Sequence, residues 1–436
     1  MEPILRRGLP RYDIRRPGCH IRLAGASHEL GSIALNDFYR DPDLDRLVEE
    51  LNRTDQRAQD TPPPGTSEQA SLDPHREVTA GSNLQSLLLA MTGQKASDLL
   101  LISGATPFCR VSGELVAIGH AILTGEDVRT LFGPYFSARV SSSLDSNGSA
   151  DFSLRMAPAG TTAGWRFRVN LHRQRGQLAA SVRSLPQQVP TLADLNLPLQ
   201  LSELVRTNRG LVLVCGPTGS GKTSTLAALV GEINRERAQH IVTIEDPIEY
   251  EHRNDKAVIE QIEIGKDAPS FASALRASLR QDPDVILVGE MRDLDTVATA
   301  LTAAETGHLI LSTLHTSDSM QAVHRIIDVF PSGQQSQIRH QLALSLNAIV
   351  CQQLVPNSEG DGRVPAIEVL IANQAVRNHI RQDRVHNLLQ EITLGRRMGM
   401  VSLEDSLAQL AQKGVITQEE ARMRARRAEE LDSYMK

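Results

Sequence analysis

Gly216-Pro217-Thr218-Gly219-Ser220-Gly221-Lys222-Thr223 satisfies the pattern G-x-x-x-x-G-K-[ST] at every position. The pattern gains meaning between a buried strand and a helix, and the apolar run Leu211-Val212-Leu213-Val214 stands just ahead of it. Glycines at 216, 219 and 221 let the backbone curl so that successive N–H groups converge on phosphate oxygens. A helix opening near Lys222 adds the positive end of its dipole. In this chemistry Lys222 reaches the β- and γ-phosphates of ATP or GTP, and the Thr223 hydroxyl holds Mg²⁺. Pro217, Thr218, Ser220 and Ser224 complete the predicted nucleotide-binding segment. The competing reading is a glycine-rich structural turn; the complete pattern in its strand–helix context favours nucleotide.

Three further segments carry groups suited to hydrolysis. Val285-Ile286-Leu287-Val288-Gly289-Glu290 is an apolar strand ending in a carboxylate. A carboxylate at that end of a parallel strand faces the ligand crevice, where Glu290 can hold Mg²⁺ through water. Gly289 stands where many phosphate-loop enzymes carry Asp, so the generic pattern is met in part. Thr243 to Tyr250 follows another apolar strand and places Glu245, Asp246 and Glu249 within five residues. Any of the three could orient the attacking water or accept its proton, and a solvated acidic turn is the plainer alternative. Gly307 to His315 brackets a third strand with two histidines. Seven residues of strand span about 23 Å, so His308 and His315 cannot share one metal. His315, at the ligand-facing end, is the better γ-phosphate sensor; His308 reads equally well as a packed structural histidine.

These side chains need a scaffold of the α/β class. Ile241 to Ile244, Val285 to Val288 and Leu309 to Thr313 repeat the short apolar run, as strands buried on both faces do. Helical stretches between them predict a parallel sheet. Upstream, Leu84, Leu87, Leu88 and Met91 recur at helical spacing. Short strands are expected at Asp98 to Ile102, Phe108 to Val111, Trp165 to Leu171 and Ala179 to Leu185. Residues 186–200, with Pro186, Pro190 and Pro198, read as a linker, and about 45 charged C-terminal residues read as helices striped by Leu403, Leu407 and Leu410. Residues 1–80 hold eight of the 21 prolines and early arginines at 6, 7, 11, 15 and 16. That composition predicts a flexible tail with a short helix around Asp43 to Asn52. The arginines could touch an acidic partner or a membrane surface; a solvated tail is the simpler reading.

The composition, 40% apolar and 22% charged over 436 residues, is that of a globular protein of two or three domains. Eight Phe, five Tyr and one Trp are few for the interleaved aromatics of a stacking platform, which weakens a reading as a single-stranded nucleic-acid binder. A net charge of −6 gives no global attraction to polyphosphate or anionic lipid. No apolar run approaches the roughly 18–20 residues that cross a bilayer, and no signal peptide is expected. Cys19, Cys109, Cys215 and Cys351 lie far apart, which suggests neither a zinc cluster nor a disulfide framework and makes a reducing cytoplasm the expected compartment.

With its four segments in this order, the chain resembles the secretion ATPase superfamily that drives type II secretion and type IV pili. Within it the chain is most similar to the pilus retraction (twitching motility) ATPases. The family's phosphate loop stands at 216–223, its Asp box at 242–250, its Walker B stretch (with the Gly-Glu ending) at 280–293 and its His box at 306–316. Arg166-Phe167-Arg168-Val169-Asn170 is similar to the family's RFRVN strand, and the resemblance covers about residues 84–430. It implies a RecA-like P-loop ATPase core with a mostly parallel sheet at 201–390. A PAS-like α+β N-terminal domain at 84–185 would precede the 186–200 linker, and C-terminal helices at 391–436 would follow the core. It further implies Glu249 as catalytic base, Glu290 as the Walker B residue and His308 with His315 as the His-box pair. Arg168 and Arg183 would reach nucleotide across subunits. The implied activity is Mg²⁺-dependent ATP hydrolysis by a cytoplasmic homohexamer at the inner face of the bacterial inner membrane. That ring would act on the inner-membrane pilus platform protein to withdraw pili, with no nucleic acid as partner.

The tetracysteine motif common in pilus extension and type II secretion ATPases is absent, which favours the retraction branch. The branch's AIRNLIRE segment stands as Ala375 to Gln382, AVRNHIRQ, with Arg377 and Arg381 as expected charged contacts to the platform. Rival readings are a motor for pilus assembly, type II-like secretion or DNA uptake, a nucleotide-dependent accessory scaffold, and a nucleic-acid translocase. Intact Lys222, Glu249 and Glu290 argue against the scaffold, and the acidic balance argues against the translocase.

Overall fold

A computed structural model describes residues 83–156 and 164–436. The expected tail over 1–80 and its short helix lie outside the described residues. Helix α1 (Leu84–Gly93) begins where the Asn83 side chain accepts the Ser86 amide, and it buries Leu84, Leu87, Leu88 and Met91. These four are the residues whose spacing predicted it. Six antiparallel strands follow, β1 (Asp98–Leu101), β2 (Phe108–Val111), β3 (Glu114–Ala117), β4 (Ser149–Met156), β5 (Trp165–Gln174) and β6 (Gln177–Leu185). They form one sheet in the order β3-β2-β1-β6-β5-β4. Helices α2 (Gly125–Phe132) and α3 (Ala138–Asn147) join α1 over a core that includes Phe132, Phe167 and Leu171. β3 was not expected, and all four of its residues are exposed, so no buried stripe marks it. β4 was not expected either, although Ala150, Leu154 and Met156 are buried at even spacing.

The second sheet has seven strands: β7 (Gly210–Cys215), β8 (His240–Glu245), β9 (Val258–Glu263), β10 (Val285–Val288), β11 (Leu309–Leu314), β12 (Leu346–Pro356) and β13 (Arg363–Ile371). Their order is β13-β12-β7-β11-β10-β8-β9, parallel throughout except for β13, which runs antiparallel to β12 at the edge. Along β7, Leu211 and Leu213 enter one hydrophobic cluster while Val212 and Val214 enter another. Both faces are therefore covered, which is why the strand is apolar at every position. Residues expected as a linker are partly core: Leu192 and Leu197 pack with Val212 and Val214.

Helices α4 (Lys222–Glu236), α5 (Phe271–Ser278), α6 (Leu294–Glu305), α7 (Ser319–Asp328), α8 (Ser332–Ser345), α9 (Gln374–Arg381) and α10 (Leu388–Leu394) surround this sheet. The chain ends in α11 (Leu403–Gln412), α12 (Gln418–Arg424) and α13 (Ala428–Met435). These three are fastened to β12 and β13 by Leu403, Leu407 and Leu431 against Val355, Val364 and Ala366. Each leucine so buried stabilises the cap by about 1.5–3 kcal/mol. No helix among the described residues is long and apolar enough to cross a membrane.

Candidate nucleotide-binding and hydrolytic site

The four segments singled out in the sequence follow β7, β8, β10 and β11, and those strands are consecutive in the sheet. Their C-terminal ends meet in register, with Leu314 opposite Cys215 and Val288 opposite both Ser312 and Ile244. The loops beyond them open side by side, at the edge where parallel sheets bind ligands. Together they line a cleft of about 580 Å³ that also receives Arg168 and Arg183 from the N-terminal sheet.

The phosphate loop is held in a shape that few residues permit. Gly216, Gly219 and Gly221 have φ of 148°, 78° and 90°. A Cβ on Gly216 would lie 2.3 Å from the Gln352 carbonyl oxygen, and one on Gly221 would lie 2.7 Å from Gln352 Nε2. The loop is thus pressed onto β12, and only glycine fits. Gln352 also braces it: Nε2 donates to the Ser220 carbonyl at 2.7 Å, and Oε1 accepts from Thr225 Oγ1 at 2.8 Å. Gly221 caps α4 with no side-chain partner for the first-turn amides, which leaves those donors aimed into the cleft. Lys222 is 8% exposed, and its Nζ donates to the carbonyls of Gly216 (2.9 Å) and Pro217 (3.0 Å). Burial lowers its pKa, opposed by the negative character of Cys215, Glu290 and Glu249. Thr218, Gly219, Thr223 and Ser224 face the cleft, while Ser220 is buried beneath the loop.

The acidic segment resolves into three environments. Glu245 is buried and accepts from Thr243 Oγ1 (2.7 Å) and Gln261 Nε2 (3.3 Å), and burial pushes its pKa up. Asp246 is likewise raised by burial, offset by the nearby Arg168. Glu249 lies on the cleft beside Lys222. The N-terminal sheet grips this loop: Arg166 donates to the Glu249 carbonyl (3.3 Å) and to that of Ile248, and pairs with Glu251 at 3.0 Å. Tyr250 Oη and Ser224 Oγ, 2.7 Å apart, tie the loop to α4.

Glu290 lines the cleft with Oε2 2.6 Å from Arg292 Nη2 and 3.8 Å from His315 Nε2. Burial and the Lys222 charge lower the His315 pKa, so the imidazole is neutral at neutral pH. Gly289 has a steric reason for departing from the usual Asp. A Cβ there would stand 3.2 Å from the Ile244 carbonyl oxygen and 3.5 Å from Phe271.

Two expectations need correction. His308 does not join the nucleotide set: it precedes β11 at the far end, where its Nδ1 lies 3.1 Å from the Ala303 carbonyl and its own carbonyl accepts the Gly210 amide. Arg377 is turned inward, donating to the carbonyls of Ala372 (2.9 Å), Ala343 (2.6 Å) and Leu344 (2.7 Å). Arg168 and Arg183 sit opposite each other on β5 and β6 and line the cleft of their own chain. Gln352, Arg166 and Arg292 were missed as site residues. Arg166 stood in a quoted motif and Arg292 two residues beyond Glu290; Gln352 carries no local signal.

The donor set suits a nucleoside triphosphate with a hard divalent cation. Backbone amides and an ammonium serve the phosphates, and the Thr223 hydroxyl and Glu290 carboxylate offer the oxygens that Mg²⁺ prefers. Among the described residues no group of three or more His, Cys, Asp or Glu could form a cage for a metal ion. Mg²⁺ at this cleft would therefore rely on phosphate oxygens beside those two residues.

Comparison with known proteins agrees with this geometry. The family model described as "Type II/IV secretion system protein" matches residues 192–430. A twitching motility protein of Neisseria gonorrhoeae is 40% identical over 349 residues, 80% of this chain and 92% of that one. The type IV pilus retraction ATPase PilT of Pseudomonas aeruginosa is 40% identical over 344 residues, 79% of this chain and 98% of that one. Among solved structures, a pilus retraction motor PilT with bound ADP superposes with a TM-score of 0.72 at 41% identity. That match covers 81% of this chain and 99% of the other.

Proposed function

The chain belongs to the type II/IV secretion system protein family, and on that premise we propose that it is a Mg²⁺-dependent ATPase that retracts type IV pili. The observation that carries the reading is the convergence of Lys222, Glu249, Glu290 and His315 on one cleft beside a glycine-shaped phosphate loop braced by Gln352. Lys222 and the amides at the start of α4 hold the β- and γ-phosphates. Glu249 orients the attacking water and takes its proton, since it alone of the three acidic-loop carboxylates combines access to the cleft with proximity to Lys222. Thr223 and Glu290 would hold Mg²⁺, which when bound would supply positive charge beside the phosphates. Neutral His315 donates to the γ-phosphate and loses that partner once phosphate leaves.

Arg168 and Arg183 reach the same cleft from the N-terminal sheet, so the two sheets are drawn together when polyphosphate is bound. Arg166 links that sheet to the backbone at Glu249 and converts sheet movement into movement of the base. Six copies acting in a ring at the cytoplasmic face of the inner membrane would pass this motion to the pilus platform protein. Pilus counts and twitching assays on a deletion strain test the proposal. Cells lacking the protein should keep surface pili and lose twitching; bald cells would assign it to pilus assembly instead.

A further inference from the structure

The C-terminal cap reaches the segment that follows His315 through one arginine. Arg426 lies between α12 and α13, where its backbone amide and that of Arg427 donate to the buried Glu404 carboxylate at 3.1 and 3.0 Å. So anchored, its guanidinium donates to Glu368 Oε2 at 2.9 Å and to the carbonyl of Ser317. Glu368 is 1% exposed on β13, and its other oxygen accepts from the Ser319 amide (2.8 Å) and the Ser319 hydroxyl (2.7 Å). Ser317 stands two residues beyond His315 on the segment that joins β11 to α7, and Ser319, four beyond, is the first residue of α7. A buried carboxylate with three charge-assisted partners is a rigid post, and its loss is felt by everything bonded to it. Nothing in the packing of the cap requires the arginine to be spent on this segment, because leucines already fasten α11 and α13 to the sheet.

We propose that Arg426, acting through Glu368 and the Ser317 carbonyl, is a positioning residue that sets His315 for turnover and couples the C-terminal helices to the nucleotide cleft. The inference rests on the reading of His315 as γ-phosphate sensor. Steady-state ATPase kinetics and ADP binding on the full chain test it, with Arg426→Gln, His315→Ala, their double variant and Arg427→Gln as a control. Arg427 pairs with Glu404 and Glu430 within the cap, so its loss loosens the same helices without touching the His315 segment. Arg426→Gln should lower kcat about tenfold with KM and ADP affinity within about twofold, since displacing a catalytic group by 1 Å can cost a hundredfold. Arg426→Lys should recover part of the loss, and Arg427→Gln should turn over at the wild-type rate. The double variant should be no slower than His315→Ala alone, because the two act as one unit. The proposal is overturned if Arg426→Gln keeps wild-type kcat while His315→Ala is slow, or if the two losses multiply. A slow Arg426→Gln beside a fully active His315→Ala also overturns it, and identifies the His315 assignment as the step that failed.

Discussion

Replacing Gln352 with leucine removes the brace under the phosphate loop while nearly keeping its volume. The side chain is 6% exposed and makes two bonds, to the Ser220 carbonyl at 2.7 Å and from Thr225 Oγ1 at 2.8 Å. Thr225 keeps a second acceptor, the Gly221 carbonyl at 3.1 Å, so its loss is an ordinary hydrogen bond of about 1 kcal/mol. The amide bond to the Ser220 carbonyl has no such substitute, and orphaning it costs about 1–3 kcal/mol. The total is about 2–4 kcal/mol. Both partners belong to the loop and the first turn of α4. If half of that cost falls on the order of the loop, nucleotide affinity drops about 5- to 30-fold, at tenfold per 1.4 kcal/mol. Calorimetric titration with ADP reads the affinity, and urea unfolding of the nucleotide-free protein reads the remainder. Unchanged ADP affinity together with an unmoved urea midpoint would refute the claim that β12 holds the loop in shape.

Further expectations concern chemistry, pH and the AVRNHIRQ segment. Glu249→Gln should retain ADP binding and lose turnover by about 10²–10⁴-fold, the usual contribution of a positioned acid or base, and Glu290→Gln should retain ADP binding and lose turnover through the loss of its Mg²⁺ contact; normal hydrolysis by either would remove its assigned role. Burial pushes the His252 pKa down to about 4, whereas an unfolded histidine titrates near 6.5. The unfolded chain then takes up the proton first, so stability is lost as pH falls from about 6.5 towards 4, by up to about 3 kcal/mol. His252→Asn should flatten that part of the urea-midpoint profile against pH. Arg377→Ala should lower stability by about 1–2 kcal/mol because it removes three bonds from a charged donor to partly exposed carbonyls, which water can in part replace, whereas Arg381→Ala should leave melting unchanged; equal melting of the two variants would contradict the inward placement of Arg377.

What the sequence made legible was local. The phosphate loop and Glu290 each follow an unbroken apolar run, and His315 follows a strand interrupted only by Ser312 and Thr313; a strand buried on both faces announces itself in four to six residues. Their adjacency followed from parallel topology, in which all C-terminal ends share one edge. Gln352 was invisible because its role depends on β12 lying beside β7, a pairing between residues more than 100 apart in the chain. Separating Glu245 from Glu249 likewise needed the structure, since only tertiary packing engages the first with Thr243 and Gln261 and sets the second beside Lys222. Charge pattern misled at Arg377, where an arginine that looked like a surface contact instead closes the C-terminal turn of α8. Prolines misled at 186–200, where the leucines between them belong to the core.

The central claim, that hydrolysis at this cleft pulls pili back, is tested most directly by imaging labelled pili on living cells whose only copy carries Glu249→Gln. Pili on these cells should extend and then stand still, with retraction events lost. Retraction at the wild-type rate, or cells without pili, would contradict it.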